Sequence, residues 1–131
     1  KIKILDSTTV KGIIFDIRKN QGGNSSFGDQ IFSHLISSPV KNYIFNGASV
    51  HFPFDETVAG IGNLISDRPG REISPADSLI FTCPIAVLIS PKTGSAAEDF
   101  AFLFKYYKRG KLIGLPTSGG TGNPYNVLLP G

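Results

Sequence analysis

The chain has 131 residues and a formal net charge of +3, with ten phenylalanines, no methionine and a single cysteine. This length suits one domain with a hydrophobic core, and the scattered lysines and arginines give no support to nucleic-acid binding. No apolar run is as long as a membrane span, and Cys83, which lies in an apolar stretch, is expected to pack in the core without an internal disulfide.

The first half of the chain predicts a strand, a glycine turn, a helix and a second strand. Lys11–Arg18 has a nearly continuous apolar centre, which suits a strand covered on both faces of a parallel sheet. The turn at Asn20–Ser26 leads into an amphipathic helix over Phe27–Ser37, which Pro39 ends. Val40–Phe45 is predicted as the next strand, which completes a β-loop-α-β unit.

The second half begins with a stretch of no sustained period. Residues 47–79 are rich in proline and glycine, and we predict an insertion or an irregular connection there. Regular structure then resumes with a strand, a helix closed by Gly110 and two further strands: Ile85–Ser90, Ala96–Arg109, Lys111–Gly114 and Tyr125–Leu129. Strands alternating with helices predict a single α/β layered domain over residues 1–131, with a mainly parallel sheet.

Three loops that follow predicted strands are rich in glycine or small residues: 20–24, 92–98 and 116–122. Such loops form the ligand crevice of an open parallel sheet. Ser95 lies in the second of them, where strand gives way to helix. With Glu98 it forms the S-x-x-E signature of a capping box, but a serine on such a turn is also exposed at the crevice, where the helix dipole favours negative charge. The local pattern leaves both roles open.

The glycine pair Gly22-Gly23 also has two interpretations. It is either a tight turn that needs positive φ, or part of an oxyanion hole whose N–H groups stabilise a tetrahedral intermediate. Lys92-Thr93-Gly94 matches a triplet of β-lactamase-like enzymes, but no S-x-x-K partner accompanies it. The loop at 116–122 lacks the ending of a phosphate-binding loop, and the histidines and cysteine are not spaced as zinc ligands. We therefore predict neither a metal nor a cofactor.

Three segments resemble a known family in their order and motifs: KGIIFDIRKNQGGN, PIAVLISPKTGSAAEDFA and RGKLIGLPTSGGTG. They are similar to segments of the S41 peptidases, the C-terminal processing and tricorn-type serine proteases. The resemblance implies a ClpP/crotonase-like layered fold, of which this chain would be a part. It implies Ser95 as the nucleophile, with an oxyanion hole formed by the amide of Ala96 and that of Gly22 or Gly23.

The resemblance does not extend to the general base. In the Ser-Lys branch of the family a lysine follows the nucleophile by 25 residues, and Gly120 occupies that position here. The acidic residue expected 11 positions after Ser95 is replaced by Tyr106. The loop is instead similar to the tricorn-type branch, which uses a histidine from an earlier segment and a glutamate from a later one. Both are expected to lie outside this chain, so the chain alone is expected to be inactive.

Other candidate bases in this chain are given ordinary roles. His34 is expected on the solvated edge of its helix, and His51 in an irregular loop. Lys92 is near Ser95 in sequence, but nothing in the spacing brings its amine to the hydroxyl. Asp16 is expected to form a structural pair with Arg18, and Glu98 to support the site.

The predicted function is therefore a serine peptidase that cleaves unfolded or C-terminal polypeptide through an acyl-enzyme, with the peptide bound as an added strand. The family association implies a bacterial cell-envelope, periplasmic or extracellular setting. An alternative is a non-catalytic module of the same fold that binds a hydrophobic ligand, as in a retinoid-binding protein, with Ser95 only a helix cap. A crotonase-type acyl-CoA enzyme has no adenine-nucleotide site to support it. Substrate identity, a PDZ-like domain and a homo-oligomer are left open.

Overall fold

A computed structural model describes residues 10–42 and 70–121 of the chain. Along these ranges it contains five strands and two helices: β1 (Ile13–Asp16), α1 (Ser25–Ser33), β2 (Val40–Asn42), β3 (Arg71–Ile73), β4 (Ile85–Ile89), α2 (Ala96–Tyr106) and β5 (Lys111–Gly114). The predicted α/β class is confirmed. The predicted strand over Tyr125–Leu129 lies outside the described residues, as does most of the stretch at 47–79.

The main sheet is parallel, as predicted. It has the order β1-β4-β5, and β1 and β5 both pair with the central strand β4. The register aligns Asp16 at the end of β1 with Leu88 near the end of β4. The loops that leave these two strands therefore begin side by side at one edge of the sheet, as expected of a parallel pair.

The second strand, β2, does not join this sheet. It pairs antiparallel with β3, with Val40 opposite Ile73, in a separate two-stranded sheet. β3 lies in the stretch that was predicted to be irregular. That prediction was wrong for Arg71–Ile73, because a strand of three residues is too short to show an alternating pattern.

The core lies between the parallel sheet and the two helices. Phe15 of β1 contacts Phe100 of α2 edge to face, with the ring centroids 5.3 Å apart, and Phe32 of α1 contacts Phe104 in the same way at 5.2 Å. Phe32 and Phe104 are fully buried, and burying each such ring contributes about 1.5–3 kcal/mol. Ile14 points to the opposite face of the sheet and is 69% exposed. The predicted cover on both faces is therefore not present among the described residues.

Helix α1 begins and ends earlier than its apolar pattern predicts. Asn24 is the N-cap, and its side-chain oxygen accepts the N–H of Ser26 at 2.9 Å. This cap begins the helix two residues before Phe27. The helix ends at Ser33 rather than Ser37, and His34 is its C-cap. The apolar spacing continues past the end of the helix, so the pattern predicts an end that is too late.

Helix α2 also ends earlier than predicted, at Tyr106 rather than Arg109. The left-handed position after it is held by Lys108, with φ of 53°, and not by Gly110. Gly110 is closely packed instead, because an added Cβ would lie 3.0 Å from the carbonyl oxygen of Ile85.

The side chain of Arg109 fastens the end of α2 to the segments around it. Its guanidinium donates to the carbonyl oxygens of Leu35 at 2.5 Å, Phe81 at 2.6 Å and Cys83 at 3.1 Å. Cys83 is a free cysteine of intermediate exposure rather than a core residue. Along the described ranges neither helix has the length and apolar character needed to cross a membrane.

Candidate active site

Ser95 lies at the junction of β4 and α2 in an unusual backbone conformation. Its φ is 50° and its ψ is −130°, whereas the other helix N-cap, Asn24, has the ordinary extended values of −86° and 112°. A positive φ is uncommon for a residue with a Cβ, and a strained backbone of this kind costs about 1–3 kcal/mol. Capping a helix does not require this strain, as Asn24 shows. A strained strand-to-helix turn is the conformation that exposes the nucleophilic serine of α/β-hydrolases.

Ser95 and Glu98 also form the predicted capping box. The Glu98 carboxylate accepts the N–H of Ser95 at 3.0 Å, which is the stronger half of the box. The other half of the box, from the Ser95 hydroxyl to the N–H of Glu98, is weaker, because the Ser95 side chain makes no hydrogen bond of regular capping geometry. The N–H of Glu98 donates instead to the Ser95 carbonyl oxygen at 2.7 Å. The cap is therefore made mainly by the carboxylate and the backbone.

The structure brings the Gly22 turn directly against Ser95. Gly22 has φ of +105°, and a Cβ placed on it would lie 2.6 Å from the Cβ of Ser95 and 2.9 Å from the amide nitrogen of Ala96. Only glycine fits this contact, because the backbone conformation and the close approach both exclude a side chain. Residues predicted from separate motifs thus meet at one point.

Two backbone amides near Ser95 have no hydrogen-bond acceptor within residues 10–42 and 70–121. One is Ala96, the first residue of α2, whose N–H has no intrahelical acceptor. The other is Gly23, which has φ of +138° and no atom within 4 Å of an added Cβ. The N–H of Gly22 is occupied, because it donates to the side-chain oxygen of Asn20 at 2.9 Å. Of the two glycines left open by the sequence, Gly23 is the one with an available donor.

The loops after β1 and β4 are joined by hydrogen bonds. The hydroxyl of Thr93 is fully buried; it donates to the carbonyl oxygen of Ile17 at 2.9 Å and accepts the N–H of Ser90 at 3.0 Å. The N–H of Gly94 donates to the carbonyl oxygen of Asn20 at 3.1 Å. These bonds fix the glycine turn relative to Ser95. Sequence reasoning did not assign Thr93 this role, although the K-T-G triplet marked its position.

Glu98 connects the third glycine-rich loop to the start of α2. Its carboxylate accepts the N–H groups of Gly119 at 2.8 Å and Gly120 at 3.0 Å, and the hydroxyl of Ser118 at 3.2 Å. Burial alone would raise the pKa of Glu98, but hydrogen bonds from the Thr117 hydroxyl and from these backbone donors outweigh it and lower the pKa. Glu98 is thus held as a carboxylate that supports the loop.

A second acidic residue on the same helix was not anticipated. Asp99 is 6% exposed, and it accepts the hydroxyl of Thr121 at 2.5 Å. Burial raises its pKa. Asp99 therefore adds a second attachment between α2 and the third loop. Along the described ranges, no group of three or more acidic, histidine or cysteine residues could hold a metal ion.

Asp16 and Arg18 form the expected pair. The guanidinium of Arg18 donates to both carboxylate oxygens of Asp16, at 2.8 and 2.7 Å. These hydrogen bonds lower the pKa of Asp16 to about 2. The pair links Asp16, the last residue of β1, to Arg18 in the loop that follows, and both side chains are exposed.

His34 does not supply a base in the described structure. His34 is only half-buried, and its Nδ1 lies 3.1 Å from the carbonyl oxygen of Leu79 and 3.2 Å from that of Ser78. This nitrogen therefore fastens the end of α1 to the 78–79 segment, rather than being simply solvated as predicted. His51 lies outside the described residues.

Comparisons with known proteins agree on one family. The model of peptidase family S41 matches residues 1–130. Carboxyl-terminal-processing peptidase 2, a chloroplastic protein of Arabidopsis thaliana, is 26% identical over 118 residues, which are 90% of this chain and 20% of that protein. The chain thus spans about a fifth of the length of this relative.

Solved structures show the same fold. A candidate peptidase from Parabacteroides merdae superposes with a TM-score of 0.66 at 26% identity, covering 90% of this chain and 35% of that one. A photosystem II D1 C-terminal processing protease superposes with a TM-score of 0.59 at 23% identity, covering 86% of this chain and 24% of that one. The motifs, the parallel sheet and the match over nearly the whole sequence lead to one conclusion: this chain belongs to peptidase family S41.

Proposed function

We propose that the protein containing this chain is a serine peptidase and that Ser95 is its nucleophile. The observation that carries the proposal is the strained turn at Ser95, where φ is 50°. The turn is flanked by two amides that donate to no acceptor among the described residues, those of Ala96 and Gly23. Backbone strain concentrates at functional sites, and here the capping role does not account for it.

The chemistry proceeds by acyl transfer. The Ser95 hydroxyl oxygen bonds to the carbonyl carbon of the scissile peptide, and its proton passes to a general base. The N–H groups of Ala96 and Gly23 donate to the oxyanion, at the positive end of the α2 dipole, and losing one such donor typically raises the barrier by about 2.7–4 kcal/mol. The base then returns the proton to the leaving amine, and water hydrolyses the acyl-enzyme.

A base is required, because an unactivated serine is a weak nucleophile at neutral pH. In the described residues the ring of His34 contacts two backbone carbonyl groups away from the loops of the site. Gly120 stands where a Ser-Lys peptidase would have lysine, and its N–H donates to Glu98. We therefore propose that the base comes from a part of the protein outside this chain. The chain covers only 20% of the length of the Arabidopsis thaliana peptidase.

The substrate we propose is unfolded polypeptide or an exposed C-terminal segment, bound as an added strand at a sheet edge. The name of the curated relative, a carboxyl-terminal-processing peptidase, supports this class of substrate. That relative is chloroplastic, so membership of the family does not by itself indicate a bacterial cell envelope. The envelope or extracellular setting stays a prediction.

The test is labelling with a fluorophosphonate, read by intact mass and peptide mapping. It uses the full-length protein, its Ser95→Ala variant, and a Ser74→Ala variant as a control at an exposed serine. We expect label on Ser95 in the wild type and the control and none in Ser95→Ala. No label on a folded wild-type protein would reject the peptidase and favour the binding module.

A further inference from the structure

A polar crevice opens where the loops after β1 and β4 run side by side. Its volume is about 730 Å³, and six residues line it: Asp16, Arg18, Lys19, Asn20, Ser90 and Lys92. Three of these side chains are cationic and one is anionic, so the crevice has an excess of two positive charges.

The excess charge resides on two lysines. Arg18 is already engaged, since its guanidinium makes a bidentate ion pair with Asp16. Lys19 and Lys92 form no salt bridge with any acidic side chain in the described ranges, and both residues are exposed. Their ammonium groups are therefore available to an anion from outside.

The walls of the crevice are held in place. The hydroxyl of Ser90 donates to the carbonyl oxygen of Arg18 at 2.5 Å and accepts the N–H of Lys92 at 3.1 Å. One side chain thus fixes the backbone on both sides of the crevice. The buried hydroxyl of Thr93 joins the same two loops through its hydrogen bonds to Ile17 and Ser90. An anion binding here would need to order only the lysine side chains.

The crevice adjoins the proposed oxyanion turn. Asn20 lines it and also contacts two residues that flank Ser95: its carbonyl oxygen accepts the N–H of Gly94 at 3.1 Å, and its side chain accepts the N–H of Gly22 at 2.9 Å. A polypeptide passing over Ser95 can therefore place a nearby group in the crevice.

Resting on the function proposed above, we propose that this crevice is a subsite for a carboxylate of the polypeptide substrate, held by Lys19 and Lys92. Lysine is suited to this as a mobile point charge rather than as a planar fork. The carboxylate belongs either to an acidic side chain near the scissile bond or to the chain terminus. Both present the same group to the two ammonium ions.

The test measures binding without catalysis. Fluorescent Ala/Gly decapeptides carry Glu or Gln at one position in turn, with a free or an amidated C-terminus, and are titrated into the full-length Ser95→Ala protein by anisotropy. The same titrations use Ser95→Ala with Lys19→Gln or Lys92→Gln added. Lys11→Gln serves as the matched control, since it removes the same charge at the opposite end of β1.

We expect one carboxylate-bearing peptide to bind more tightly than its neutral partner, by about two- to five-fold for each lysine, with the advantage falling as salt rises. Lys19→Gln and Lys92→Gln should each lose the part of this binding advantage that the replaced lysine supplies. Lys11→Gln should keep the whole advantage. A dependence on Glu identifies a side chain, and a dependence on the free terminus identifies the chain end. Equal binding of charged and neutral peptides, an advantage that survives both variants, or no binding at all overturns the subsite. Failure of Ser95 labelling, measured separately, overturns the peptidase instead.

Discussion

Replacing Gly22 with alanine should inactivate the protein by displacing Ser95. The new Cβ would lie 2.6 Å from the Cβ of Ser95, 2.8 Å from the carbonyl oxygen of Gly94 and 2.9 Å from the amide nitrogen of Ala96. Ordinary contact between carbon atoms begins near 3.5 Å, so Ser95 and the Gly22 turn must separate by about 0.9 Å. A misplacement near 1 Å can cost about 10²-fold in rate. We expect a loss of that size in kcat/KM and in the rate of fluorophosphonate labelling of Ser95.

The matched control is Gly119→Ala. Gly119 also has a left-handed backbone, with φ of +79°, but no atom lies within 4 Å of its added Cβ. Both variants should lose about 1–3 kcal/mol of folding free energy from backbone strain, measured by urea unfolding, but only Gly22→Ala should lose labelling beyond what its stability explains. If folded Gly22→Ala labels at the wild-type rate, the contact between the Gly22 turn and Ser95 does not position the Ser95 hydroxyl.

Three further predictions concern two residues of the site, Ser95 and Glu98, and Arg109 beyond the other end of α2. Ser95→Gly should abolish labelling and raise the free energy of unfolding by about 1 kcal/mol, because glycine adopts the Ser95 conformation without strain. Glu98→Gln should be less stable than wild type at neutral pH. Because the folded-state pKa of Glu98 is lowered, its contribution is complete above the usual 4.5 and is lost as the pH falls through the folded-state pKa. Arg109→Lys should lose about 1–3 kcal/mol, because lysine cannot reach three carbonyl groups at once.

Each of these has a clear contrary result in urea unfolding curves. A Ser95→Gly protein no more stable than Ser95→Ala would mean that the turn is unstrained. A stability difference between wild type and Glu98→Gln that persists unchanged to pH 2 would show that the carboxylate charge is not what holds the loop. Wild-type stability of Arg109→Lys would mean that the three hydrogen bonds of the guanidinium do not stabilise the fold.

The parallel strands could be predicted because each is a short, mostly apolar run with a clear end. β5 was predicted with its bounds at Lys111–Gly114, and β1 and β4 within one or two residues. The pairing of β2 could not be predicted, since its partner β3 is a three-residue strand with charged side chains. An antiparallel pair between segments so far apart in sequence leaves no local pattern.

The meeting of Ser95 with the Gly22-Gly23 turn follows from motif order and the topology of a parallel sheet. Which glycine has a free amide does not, because it depends on the side chain of Asn20 occupying the N–H of Gly22. Thr93 was overlooked for a related reason. A buried hydroxyl between two loops has no periodicity, and only its hydrogen bonds reveal what it does.

The S-x-x-E pattern cannot separate a helix cap from a nucleophile, and the structure explains why. Glu98 accepts the N–H of Ser95 as a capping residue does, and with the same carboxylate it accepts the N–H groups of Gly119 and Gly120. One glutamate thus serves both the start of the helix and the loop that closes over it. The distinguishing quantity is the backbone of Ser95 itself, since Asn24 caps α1 with φ of −86° while Ser95 has φ of 50°. A serine that only capped α2 would gain nothing from that strain, and this supports the proposal that Ser95 is a nucleophile held between the Gly22 turn and the α2 amides.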